Sequence, residues 1–377
     1  MHPAAPRRTK FFPFPGADEP VEGRDQPAII NVSDVEIIAP NFKKRLSGVT
    51  STIIQLIPVQ RALGEKIAAL GPGLPASLPH IRFRDLPKLW RAPRSRPFRI
   101  WHARRNIEML AAIVMRDVLR MPLKIVFTSA SQRRHTGWTK WLISKMDAVI
   151  ATSGKTADYL EVPNTVVLHG IDTTRFSPSD DKAGARRGLG LDATKKIAGC
   201  FGRVRRQKGT DLFVDSMIAL LPTRPDWMAI VAGRATTQHV EFEKELKARV
   251  AAAGLADRIL FVGEHTNIND WYRMLDLFVA PQRWEGFGLT PLEAMATAVP
   301  VVATDVGAFP ELLLTGANET GVIVPRDNED AMAQAAGLFM DDDSRRQRAS
   351  ARARVHAMNA FSIEGEAQKI GAVYRSL

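Results

Sequence analysis

A chain of 377 residues, 45% hydrophobic and 24% charged, is too long for one ordinary domain and suits two, each able to bury its own core. That composition excludes a disordered chain, and the single cysteine, Cys200, excludes an internal disulfide and points to a reducing, cytoplasmic setting. The net charge of +12 falls wholly in residues 1–180, with 27 basic against 15 acidic residues, while residues 181–377 carry 25 of each.

Residues 1–27 have proline and charge where a signal peptide needs an unbroken apolar core, and are read as a mobile leader. From residue 28 onward short β-branched runs alternate with amphipathic segments, the pattern of βαβ units and parallel sheets. Strands are expected at 29–38, 98–102, 124–129, 148–152 and 165–169. Asn106 is placed to cap a helix reaching about residue 119, and Ser153 to cap one through residue 160. The longest apolar run, 107–115, contains Glu108 and falls well short of the roughly 18 to 20 residues of a membrane-spanning helix.

Between residues 82 and 105 nine basic residues (Arg82, Arg84, Lys88, Arg91, Arg94, Arg96, Arg99, Arg104, Arg105) meet one acid, Asp85. Such a stretch suits an anionic partner, so Arg91, Arg94, Arg96, Arg104 and Arg105 are assigned to the acceptor or to an anionic membrane surface. A nucleic acid is the less favoured partner. Stacking would need interleaved aromatics, and of Phe83, Trp90, Phe98 and Trp101 the last two belong to an expected strand.

A loop rich in charge, Gly and Ser, 177–196, closes a first domain of residues 28–180. A second, 195–360, restarts the pattern with strands at 196–204, 227–233, 258–263, 277–281, 299–304 and 321–324. Cys200, in an apolar run, is expected to be a buried thiol. The result is two doubly wound α/β sheets in series, whose ligands should lie beyond the carboxyl ends of the strands.

Two of those loops carry chemistry. Arg283-Trp-Glu-Gly-Phe-Gly-Leu-Thr-Pro-Leu-Glu-Ala-Met295 follows a buried strand and opens a helix. Thr290, Pro291 and Glu293 fit a capping box, which alone could account for Glu293 but leaves Glu285 unexplained. Gly286 and Gly288 let backbone approach a ligand, and with Phe287, Leu289 and Thr290 they form a cradle in which two carboxylates can accept sugar and ribose hydroxyls. In Gly202-Arg-Val-Arg-Arg-Gln-Lys-Gly209, Arg203 and Lys208 can grip a diphosphate from two sides; Arg205 and Arg206 read as solvated. Asp341-Asp-Asp343 looks like the acidic end of a helix, and no metal site is expected.

These two motifs, with Val299-Pro-Val-Val-Ala-Thr-Asp-Val-Gly307 and His169-Gly-Ile-Asp-Thr-Thr-Arg-Phe-Ser-Pro178, resemble the retaining glycosyltransferases of the GT-B fold (group 1, family 4) over residues 30–377. Within that family the chain is most similar to bacterial lipopolysaccharide-core mannosyltransferases. The resemblance implies two Rossmann-like domains facing a cleft, with 361–377 crossing back onto the first. It also implies that Arg203 and Lys208 hold the diphosphate, Glu285 the donor sugar and Glu293 the ribose, with no metal or other cofactor. The family's Gly-Gly loop stands here as Ser47-Gly48-Val49, leaving Gly48 to meet the donor phosphates. Its histidine after a later strand is replaced by Ala130, which makes His102 the candidate to touch acceptor or donor. The implied reaction moves a hexose, mannose from GDP-mannose by preference or a UDP-hexose otherwise, to a glycolipid or oligosaccharide acceptor. It would take place in the cytoplasm, at the inner face of the inner membrane. A non-catalytic protein binding anionic lipid or nucleic acid is the alternative from another class.

Overall fold

The computed structural model describes residues 28–44 and 48–377; the leader expected at 1–27 and Ser47 lie outside the described residues. In chain order the first part runs β1 (Ala28–Ile29), β2 (Ile37–Pro40), α1 (Gly48–Ala62), β3 (Ile67–Leu70), β4 (Pro79–Ile81), β5 (Arg99–Ala103), α2 (Asn106–Ile113), β6 (Leu123–Ser129), α3 (Gly137–Ser144), β7 (Ala148–Ala151), α4 (Gly154–Ala157) and β8 (Thr165–Val166). These strands form one parallel sheet in the order β1-β4-β3-β2-β5-β6-β7-β8.

The second part runs α5 (Lys182–Gly188), β9 (Lys196–Phe201), α6 (Thr210–Leu220), β10 (Trp227–Ala232), α7 (Val240–Ala252), β11 (Ile259–Gly263), α8 (Ile268–Arg273), β12 (Leu277–Ala280), α9 (Thr290–Ala296), β13 (Val301–Thr304), α10 (Phe309–Leu312), β14 (Gly321–Val324), α11 (Glu329–Asp341), α12 (Asp343–Ala360) and α13 (Ile363–Arg375). Its six strands are again all parallel, in the order β11-β10-β9-β12-β13-β14. Apolar clusters lie on both faces of each sheet, as two-sided burial of parallel strands requires. This is the GT-B architecture that the sequence motifs imply.

Strand order reverses between β2 and β5 in the first sheet and between β9 and β12 in the second. These are the points where a doubly wound sheet opens a crevice for ligand. Helix α13 belongs in sequence to the end of the second part but packs on α1, where Tyr374 is fully buried and Arg375 pairs with Glu65. The chain therefore passes between the domains twice. The two passes touch: Ile171 N donates to Phe361 O at 2.8 Å, and Ile363 N to Ile171 O at 3.1 Å.

Several local expectations change. The single strand expected at 29–38 is broken by a 3-10 turn, Val32–Asp34, because the Asn31 side chain accepts from Ser33 N and bends the chain. The short strands β3 and β4 were not foreseen. Arg105, and not Asn106, holds the cap position of α2; the Asn106 amide instead donates to Thr139 Oγ1 at 2.8 Å, and the helix continues as a π-helical turn, Val114–Val118. Ser153 does cap α4, which stops at Ala157. The loop expected at 177–196 contains α5, fastened to the second domain by Arg186, which donates to Met274 O and to Asp276 Oδ2 at 2.6 Å.

Candidate active site between the two sheets

The loops at both switch points face one another across a cleft of about 430 Å³. The first domain contributes Gly48, Val49 and Thr52 from α1, Arg104 after β5, and Thr128 and Ala130 at the end of β6. The second contributes Lys208, after β9, and 284–290, after β12. His169, from the first pass between domains, closes one side.

Lys208 ends a 3-10 turn, and its ammonium pairs with Glu285 Oε2; both side chains are about four-fifths buried. The other oxygen of Glu285 accepts from Gly286 N at 3.1 Å, so the carboxylate is fixed. Gly288 makes this loop possible: it has φ +89°, and a Cβ there would collide with the Phe309 ring and Glu285 Cγ. At Gly286 the domains approach closely, since a Cβ on it would sit 2.8 Å from the Ala130 carbonyl oxygen. Phe287 is buried and meets the His169 ring edge-on at 4.8 Å, while His169 Nδ1 lies 2.8 Å from Glu366 Oε1. Leu289 packs on the same core, and the space next to Gly48 is open.

The capping box expected at Thr290 and Glu293 is not formed. Leu289 is the cap residue of α9, and Thr290 Oγ1 is buried without a hydrogen-bond partner. Glu293 Oε2 accepts from Tyr272 Oη at 2.7 Å, inside an aromatic cluster with Phe201 and Phe278. Burial raises the Glu293 carboxyl above the ordinary value, although the Tyr272 hydroxyl and Arg175 favour its charged form; burial and the neighbouring carboxylate hold the Tyr272 hydroxyl protonated.

Gly202, at φ +139°, and Arg203 are exposed, and Arg203 opens onto a second recess of about 800 Å³ beside the cleft, shared with Arg205 and Arg234. Arg205 is not simply solvated: its Nε is buried without a partner, and burial with the charge of Arg203 lowers its guanidinium below the usual value. The Trp227–Ala232 strand leads directly to Arg234, so the strand-end rule, applied to that loop as to the other two, would have found this residue. Trp284 and His169 were likewise passed over.

The N-terminal assignments change more. His102 is fully buried one layer behind the cleft, with Nε2 2.6 Å from Thr128 Oγ1 and Nδ1 2.6 Å from Tyr374 Oη. With both ring nitrogens engaged and none exposed, it cannot touch substrate as the sequence suggested; it positions Thr128, which does line the cleft. Burial, then the charge of Arg104, keeps its imidazole far below its ordinary value and so neutral. Arg104 lines the cleft, and Arg105 is spent internally on Glu108 Oε1 and Asn41 Oδ1, both at 2.7 Å. Neither belongs to a surface patch with Arg91 and Arg94. Those two are exposed before β5, at the strand starts remote from the cleft, where Arg96 donates to Tyr374 O at 2.8 Å and Arg99 is buried holding Val35 O.

Among the described residues no group of three or more His, Cys, Asp or Glu side chains gathers to hold a metal ion. Asp342 caps α12, Asp341 pairs with Arg224 and Asp343 with Lys196. Cys200 is buried, its thiol pushed up to about 12.

Two facing parallel sheets with a cation–carboxylate pair at the crevice define a transferase of the GT-B class, and the chain belongs to the group 1 glycosyl transferases, whose family model matches residues 181–356. Over 93% of this chain and 99% of the other it is 72% identical to the lipopolysaccharide core biosynthesis mannosyltransferase LpsB of Rhizobium meliloti (strain 1021). It is 55% identical to LpcC, a lipopolysaccharide core biosynthesis mannosyltransferase of Rhizobium leguminosarum bv. viciae, over 92% and 98%. The Anabaena protein Alr3699/HepE, crystallised in complex with UDP, has the same fold at 19% identity, with a TM-score of 0.79 over 91% of this chain and 100% of its own.

Proposed function

We propose that the protein transfers mannose from GDP-mannose, with retention at the anomeric carbon, to a lipopolysaccharide-core acceptor. The observation that carries this reading is the Lys208–Glu285 pair at the switch-point cleft of a chain 72% identical to a mannosyltransferase of that pathway. The donor diphosphate draws Lys208 away from Glu285, which is then free to accept a hydroxyl of the sugar. As the bond from the anomeric carbon to the diphosphate breaks, negative charge grows on the leaving oxygen, and Lys208, released from Glu285, stabilises it together with Arg203, which turns in from the neighbouring recess. The acceptor oxygen bonds to the same face of that carbon and gives its proton to the leaving phosphate oxygen, so no protein base is required. With two cations at the phosphate, a divalent ion is also not required. Calorimetric titration of GDP, UDP, GDP-mannose and UDP-hexoses tests the donor; tight binding of the uridine compounds alone would replace mannose by another hexose.

A glycolipid acceptor must be met at a bilayer, and among the described residues no helix is long and apolar enough to cross one. We assign peripheral docking on the inner face of the inner membrane to α2 and α3. Ile107, Leu110, Val114 and Val118 point outward along one face of α2 and its π turn, and Trp138 and Trp141 stack at 5.1 Å on the exposed side of the adjacent α3. Trp90 closes the far end of this band by donating to Leu119 O at 2.6 Å. Exposed Arg134 and Lys145 near α3 match an anionic surface. Sedimentation with anionic vesicles decides: Trp138→Ser with Trp141→Ser should abolish binding, and Arg91→Gln with Arg94→Gln should barely reduce it. The reverse pattern would return docking to the 82–105 stretch.

A further inference from the structure

A small recess of about 140 Å³ opens beside the donor cleft on the first domain, sharing Arg104, Thr128 and Ala130 with it. Its other walls include Arg133 and His135, and none of the residues lining it is acidic. Among the described residues neither Arg104 nor Arg133 makes an ion pair; the one side-chain hydrogen bond of Arg104 goes to its neighbour's carbonyl, His102 O, at 3.3 Å. The carboxylates nearby are committed elsewhere: Glu108 to Arg105 and to Arg104 N, Glu366 to His169 and Gly170 N, and Glu161 to Lys140. His135 Nε2 is buried and has no hydrogen-bond partner. Arg104 is the costly member of this group, a guanidinium drawn out of water with no carboxylate paired to it, while the exposed Arg133 is solvated and free to turn toward a ligand.

We propose that this recess binds an oxyanion substituent, a carboxylate or a phosphate, on the acceptor glycan. Arg104 and Arg133 supply the charge and His135 a ring nitrogen for hydrogen bonding. The proposal rests on the glycolipid-acceptor reading and gives that acceptor a required charge. Geometry supports it: the Thr128–Ala130 strip that forms the shared wall lies opposite Gly286, so a group held in the recess leaves the rest of its sugar at the cleft, facing the donor loop. Burial lowers the Arg104 guanidinium, and burial with Arg133 lowers the His135 imidazole, so both gain from an anion at this point.

The test measures binding in the absence of any donor, so it does not depend on the nucleotide sugar. Truncated lipopolysaccharide from cells lacking this enzyme, dispersed in detergent, is titrated against the full-length protein in three forms: native, carboxyl-reduced and dephosphorylated. Arg133→Gln, an exposed position, should weaken native acceptor binding roughly 10-fold or more, the range for a charged hydrogen bond, and leave nucleotide affinity unchanged. One chemical treatment should cause the same loss in the wild type and no further loss in the variant, which identifies the substituent. Equal binding of all three forms, or a loss of nucleotide affinity in Arg133→Gln, overturns the proposal. If the wild type binds none of the three, the acceptor class is wrong, and inorganic phosphate followed by the His135 resonance decides the recess on its own. A saturable shift absent from Arg133→Gln sustains the site, and no shift overturns it.

Discussion

Glu293→Gln separates three roles that one carboxylate could have, and the structure gives each a different magnitude. As a helix cap Glu293 would stabilise α9 by about 1 kcal/mol, but Leu289 occupies the cap and the Glu293 side chain accepts from Tyr272 at 2.7 Å instead. The amide oxygen of Gln can keep that bond, so at pH 4, where the acid is mostly neutral, the substitution should cost less than about 1 kcal/mol. The pH dependence has a definite sign. Burial raises the folded-state value of Glu293, so the folded protein holds this proton more tightly than the unfolded chain does. Its contribution to stability is therefore greatest below the ordinary glutamate value and is lost as pH rises through the raised one. Glu293→Gln removes that loss, and its stability relative to the parent should climb between pH 4 and 8 in denaturant titrations. If the carboxylate also accepts a ribose hydroxyl, nucleotide affinity should fall by about 1.5–3 kcal/mol, roughly 10- to 100-fold, in a protein that is as stable as the parent. A stability difference that does not change with pH would refute the buried-carboxylate argument, and unchanged nucleotide affinity would refute the ribose assignment.

Thr290→Val should leave stability unchanged or slightly higher by thermal melting, since it removes a buried hydroxyl with no partner; a loss of 1 kcal/mol or more would reinstate the capping box. Tyr374→Phe strands His102 Nδ1 and should cost about 1–3 kcal/mol in chemical denaturation. Because burial lowers the His102 imidazole in the fold, its part of the stability is full above about 6.5 and is lost progressively as pH falls from there through the lowered folded-state value. Lys208→Ala should lower turnover on the order of 100-fold, and the parent should keep its activity in EDTA; loss in EDTA restored by manganese would place a metal at the phosphate. Gly48→Ala has open space around the new methyl, so weaker nucleotide binding in an equally stable variant would mark direct ligand contact there.

The sequence made the second domain legible because its strands are uniform apolar runs and its ligand loops follow them immediately, as Lys208 and Glu285 do. In the first domain the same reading erred where charge was judged by density along the chain. Arg99 and Arg105 sit in the dense stretch, yet each is turned inward to satisfy carbonyl or carboxylate groups that only the folded backbone brings near. His102 was singled out for lying at a strand end, but Tyr374, the partner that buries it, comes from 272 residues away. Local pattern carries no trace of such a contact. The capping box failed for a similar reason: Tyr272 competes for Glu293 through tertiary structure, and it wins.

The adjacency of Ile171 and Ser362 has a mechanical meaning. A single connection would let one domain swivel freely about the other, whereas two connections laced together by backbone hydrogen bonds act as a door hinge and leave essentially one rotation. On the leaf of that door, Glu311 accepts from Gly154 N at 2.8 Å and Lys155 N at 3.2 Å, and Lys155 reaches Asp305, so the closed position has its own catch. His169 lies one turn of chain from the pin, against Phe287 on one side and Glu366 on the other. The Phe287–His169 contact therefore couples the donor loop to the hinge.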